Sequence, residues 1–101
     1  MGKTPYTEPP TITSTLRWDQ VSLPASISEA DVDQVIFSVM TSRLRKTAMV
    51  VAQAHMRREE LGLPISAEVL GARLGALAES DRIDSAGDLR KWRHSEVRLK
   101  G

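Results

Sequence analysis

Cysteine is absent from the 101 residues. That excludes disulfides, thiolate metal sites and a thiol nucleophile, and it agrees with a reducing, cytoplasmic setting. Aromatics are scarce: Tyr6, Trp18, Phe37 and Trp92 are all there is, so a core has to be built from Val, Ile, Leu, Met and Ala. No apolar run approaches the ~18 residues of a membrane span, and the N-terminus lacks a signal peptide's basic start and apolar centre. No membrane association is expected. A net charge of +1 removes any bulk attraction to nucleic acid or acidic lipid. Glycine-rich phosphate loops, a dinucleotide fingerprint, a Gly-x-Ser-x-Gly elbow and His-Glu-x-x-His are all missing. The two histidines, His55 and His94, stand far apart and call for no metal. The expectation is a chain that is not an enzyme and carries no cofactor.

What is present fits one small domain. Residues 1–27 hold Pro5, Pro9, Pro10 and Pro24 among Thr and Ser, which opposes helix and suggests a flexible leader. Ile12, Ser14, Leu16 and Trp18 would share one side of an extended segment, so 12–18 reads either as a short strand or as part of that leader. Trp18 is too large an apolar surface to leave in water and should dock on the domain or on a partner.

Residues 28–101 read as the domain itself. Ser28 caps a first helix with Asp31 three residues on, and Ile27 with Val32 can staple its entry. Val32, Val35, Ile36, Val39 and Met40 then form one stripe. A second helix is expected from about Arg43 to Leu61, with Leu44, Ala48, Val51, Ala52 and His55 on one face and Val50 and Ala54 widening it. Gly62-Leu63-Pro64 ends it. Ser66 caps a third helix, with an Ile65–Leu70 staple. Its small residues Ala67, Gly71, Gly75 and Ala78 suggest a close approach to helix two. Strands near 82–84 and 95–99 flank a wing that contains the Gly87 turn. The fold class that follows is mostly α: a three-helix winged-helix-like domain with a C-terminal β-hairpin.

Charge is patterned locally. Residues 28–42 are net −3, whereas 43–60 and 82–101 are each net +3. The candidate binding surface is therefore Arg43, Arg45 and Lys46 together with Arg90, Lys91, Trp92 and Arg93. Cations can neutralise phosphates and an aromatic among them can pack on sugar or base. Alternatively Trp92 closes the core under the hairpin while its neighbours are solvated, a reading favoured by the shortage of aromatics. The outward side of helix three, read as Glu68, Ala72, Arg73, Ala76 and Glu79, suits DNA poorly. Three structural roles are expected: Glu96 in an ion pair with Arg45 or Lys46, and Gly87 and Asp88 in the turn. The partner is expected to be a protein or a second copy, with nucleic acid bound weakly at most.

Leu44-Arg45-Lys46-Thr47-Ala48, Arg73-Leu74-Gly75-Ala76-Leu77, Gly87-Asp88-Leu89 and Ser95-Glu96-Val97-Arg98-Leu99 resemble an uncharacterised bacterial domain-of-unknown-function family over about residues 28–99. That family shows Arg-Lys-x-Ala, Arg-Leu-x-x-Leu, Gly-Asp and Glu-Val-Arg-Leu in the same order. It usually has glycine where Asp81 stands, so Asp81 must take that helix-ending position here. The resemblance implies a small helical domain with a hairpin and brings no activity or site.

Overall fold

A serine with a carboxylate three residues later starts a helix because the two side chains satisfy amide groups the helix cannot. The structure, a computed structural model, describes residues 14–100, and it shows that device at α1 (Glu29–Val39). The Asp31 amide donates to Ser28 Oγ (3.2 Å) and the Ser28 amide to Asp31 Oδ2 (2.9 Å). Ile27 and Val32 are both buried, as a hydrophobic staple requires. Ser66 likewise accepts from the Val69 amide (3.2 Å) at the start of α3 (Ala67–Glu79).

Both later helices end alike. After α2 (Thr47–Glu60), Gly62 takes φ +70, and the Leu63 and Gly62 amides return to the Arg58 and Glu59 carbonyls. After α3, Asp81 takes φ +64, and the Arg82 and Asp81 amides return to Leu77 and Ala78. Asp81 thus occupies a left-handed position that glycine would hold without strain.

Three antiparallel strands complete the domain: β1 (Arg45–Lys46), β2 (Ile83–Ala86) and β3 (Glu96–Leu99), in the order β1-β3-β2. Ile83 faces Leu99 and Ser85 faces Val97, while Arg45 faces Val97 from the other edge. The chain order α1-β1-α2-α3-β2-wing-β3 is winged-helix-like, as expected. The core joins Val32, Val35 and Ile36 of α1 to Val50, Val51 and Ala54 of α2, Leu70, Leu74 and Leu77 of α3, and Ile83 and Val97 of the sheet.

Four expectations need correction. Arg43–Lys46 does not begin helix two: Arg45 and Lys46 pair with β3 instead, and α2 starts at Thr47, whose amide donates to the Ser95 carbonyl (2.9 Å). The buried face of α2 is Thr47, Val50, Val51 and Ala54, so Ala52 and Leu44 are exposed. The two glycines of α3 do not serve an approach to α2. A Cβ on Gly71 would lie 2.5 Å from Trp92 Cζ2, and one on Gly75 would meet nothing within 4 Å. Of segment 12–18, residues 12 and 13 lie outside the described residues. Ser14–Arg17 form no strand, Ser14 makes one backbone bond to Arg90 (3.1 Å), and Trp18–Gln20 form a 3-10 turn.

Candidate functional site: three surfaces compared

The wing, residues 87–95, carries the predicted basic surface. Gly87 opens it at φ +84, where a Cβ would meet the His94 carbonyl at 2.7 Å. Asp88 then folds the chain back. Its carboxylate accepts from the Arg90 amide (3.0 Å) and from the Arg90 guanidinium (3.1 and 2.9 Å). Those bonds hold the Asp88 carboxyl at a pKa of about 2. The charge of Arg90 is therefore already met. Ser95 closes the wing: its hydroxyl donates to the Lys91 carbonyl (2.9 Å) and lies 2.8 Å from the Thr47 hydroxyl, with both residues buried.

The seven residues predicted to bind do not act as one surface. Trp92 is buried on a 3-10 turn (Trp92–His94) against Gly71 and is no stacking platform. It closes the core because few other residues could supply so much apolar area. Arg45 donates to the Val39 carbonyl (2.9 Å) and lies against Met49 Sδ (2.9 Å). Arg43, Lys46, Lys91 and Arg93 are exposed and form no ion pair among the described residues. The expected ion pair from Glu96 to Arg45 or Lys46 is not made. Glu96 faces Lys46 across β1 and β3, and backbone hydrogen bonds tie the wing to the start of α2. Gly87 and Asp88 do hold the turn.

The outer face of α3 is the second surface. In this chain order it is the helix that would enter a DNA groove, yet only its end residues Glu68 and Glu79 are exposed. Arg73, expected to point outward, is buried. Its Nε donates to Asp33 Oδ1 at 2.6 Å and its Nη2 to Asp33 Oδ2 at 3.0 Å, with Glu29 at 3.7 Å. The bond to Asp33 raises its pKa above the usual arginine value, against an opposing effect of burial. Trp18 stacks on the same guanidinium, 4.7 Å from ring centroid to Cζ. Arg82 reaches Asp33 from the far side (3.4 Å) over the Phe37 ring. Asp33 and Arg73 lie 40 residues apart, so no local pattern could have announced the pair.

Ser14–Gln20 therefore runs across α3 as a strap. Between strap and helix lies a groove of about 500 Å³ floored by Gly71, Ala72, Gly75 and Ala76 and walled by Leu16 and Trp18. At its rim Arg17 pairs with Asp19 (3.3 Å) and Arg90 with Asp88, while Glu79 makes no ion pair among the described residues. No nucleophile–base pair converges on it, and no group of three metal-binding side chains exists among the described residues.

The third surface was not foreseen. Among the described residues the exposed large hydrophobics are Leu44, Met49, Met56 and Leu61, 44–65% exposed. Met49 and Met56 lie on α2, Leu61 follows it directly, and Leu44 precedes β1. Met49 and Met56 are two helical turns apart and share the face opposite Val50, Val51 and Ala54.

No family model matches the chain, and no curated protein or solved structure matches it either. Among the described residues no helix is long and apolar enough to cross a membrane.

Proposed function

We propose that this chain is a non-catalytic protein-interaction module on a winged-helix-like frame. The observation that carries the reading is the placement of the exposed hydrophobics: Met49 and Met56 share the outer face of α2, and Leu44 and Leu61 flank that helix in the chain. The covered face of α3 supports it, because Arg73 is buried, is bonded to Asp33 through Nε and Nη2 and lies under Trp18. The likeness to the domain-of-unknown-function family belongs to the same proposal. Its motif residues, from Arg45-Lys46 and Arg73 to Gly87-Asp88 and Glu96–Leu99, hold strands, ion pair and turn here, so the likeness concerns fold. A cytoplasmic location is proposed on the absence of cysteine alone.

A second reading, weak nucleic-acid binding, draws on Lys46, Lys91 and Arg93, which β1 and the neighbouring 3-10 turn bring to one end of the domain. A fluorescence-anisotropy titration with mixed-sequence duplex DNA decides between the two. The interaction-module reading expects no saturation below ~100 µM at near-physiological salt. Micromolar binding that weakens steeply with salt would overturn it.

A further inference from the structure

We propose that Ser14–Gln20 is a hinged, autoinhibitory cover on α3. Asp33 of α1, which makes no hydrogen bond or ion pair to the cover among the described residues, keeps it shut by holding the Arg73 guanidinium flat beneath Trp18.

The cover is built to move as one piece. Its polar contacts are largely its own. The Leu16 amide donates to Ser14 Oγ (3.3 Å), the Arg17 amide to Gln20 Oε1 (2.9 Å) and the Gln20 amide to the Arg17 carbonyl (2.9 Å), while Arg17 pairs with Asp19. Two anchors reach the rest of the domain. The Ser14 amide donates to the Arg90 carbonyl (3.1 Å) at one end, and Trp18 lies over Arg73 at the other. No residue of Trp18–Gln20 is buried. Further along the chain, Leu23 packs on the core and Ile27 is buried in it, which puts the hinge at Val21 and Ser22. A segment bonded mainly to itself opens as a unit at far less cost than global unfolding.

The Trp18 anchor is only as firm as the plane it rests on. A guanidinium is a flat cation whose edge suits a carboxylate and whose face suits an aromatic ring. Asp33 takes the edge with two bonds, Nε to Oδ1 (2.6 Å) and Nη2 to Oδ2 (3.0 Å), and a bidentate pair fixes the orientation of the plane. Glu29 is exposed and stands 3.7 Å from Nη2 alone, so it adds charge without fixing that plane. Arg82 shares the Asp33 carboxylate at 3.4 Å but lies over Phe37 instead of under Trp18. Two arginines thus meet one carboxylate, and one of them carries the cover. Asp33 is a positioning residue for Trp18, and whatever parts α1 from α3 at this pair also uncovers the face of α3.

Thiol labelling of A72C in the full chain reads the opening, because Ala72 is buried on the floor of the groove. Rates are compared at a temperature where circular dichroism shows every variant folded. Trp18→Ala should raise the rate about fivefold or more. Asp33→Asn should raise it about threefold or more, and so should Arg73→Lys, which keeps a charge for Asp33 but offers no flat face. Arg82→Ala removes the other cation on Asp33 and should leave the rate within about twofold. An unchanged rate in Asp33→Asn or in Arg73→Lys overturns the proposal. So does a rate that simply follows the loss of thermal stability across Asp33→Asn, Arg73→Lys and Arg82→Ala, because Asp33 would then act through the fold as a whole. Should Asp33→Asn not fold, the Arg73→Lys rate decides.

Discussion

α2 and α3 are adjacent helices of 14 and 13 residues, packed on the same core, and they meet their surroundings in opposite ways. α3 exposes Glu68 and Glu79 at its ends and nothing along its middle, because Ser14–Gln20 lies across it and Trp18 sits over Arg73. α2 exposes Met49, Ala52 and Met56 along its outer face, with the Arg45 guanidinium against Met49. In a winged-helix order the third helix is the one expected to be presented. Here the chain occupies that helix itself and leaves the second one bare. Element order alone therefore does not say which helix is left open.

The largest effect should separate the two helices by stability. Asp33→Ala leaves Arg73 buried without its main partner, and a loss of about 3–5 kcal/mol in chemical denaturation is expected. Asp33→Leu combined with Arg73→Met should recover most of it. Met56→Ala on the open helix should change stability by less than about 0.5 kcal/mol. Equal costs at the two sites would erase the distinction.

A smaller effect sharpens it within α3 alone. Gly71→Ala drives a methyl into the buried Trp92 ring, and repacking should cost about 1–2 kcal/mol net of the better helix propensity. Gly75→Ala enters open space and should stabilise by roughly 0.5–1 kcal/mol. Thermal melts of the two variants should move in opposite directions.

The parts of this fold that were legible in the sequence are those governed by neighbours. Ser28 with Asp31, Ser66 with Ile65 and Leu70, and Gly62-Leu63-Pro64 bound the helices through contacts within six residues, and the structure shows each. The wing was legible from Gly87 and the alternating strand at Glu96–Leu99, and the burial of Trp92 from the shortage of aromatics. What could not be read depends on distant partners. β1 is two cations long, with no alternation to betray it, and exists because β3 supplies its hydrogen bonds. Asp33 pairs with Arg73 from 40 residues away. The bare face of α2 had a signal, Met49 and Met56 seven apart between Leu44 and Leu61. The buried face is Thr47, Val50, Val51 and Ala54, set by tertiary contacts and not by Leu44, Ala52 and His55.

The contrast between a covered α3 and an open α2 is tested most directly by thiol labelling of two variants of this cysteine-free chain, A72C under the strap and A52C on the bare face. A72C should react more slowly by on the order of tenfold or more, because the reagent must wait for the strap to open. Removing residues 1–20 should close that gap. Equal rates in the full-length variants would mean that the strap does not cover α3, and the account would be wrong at its centre.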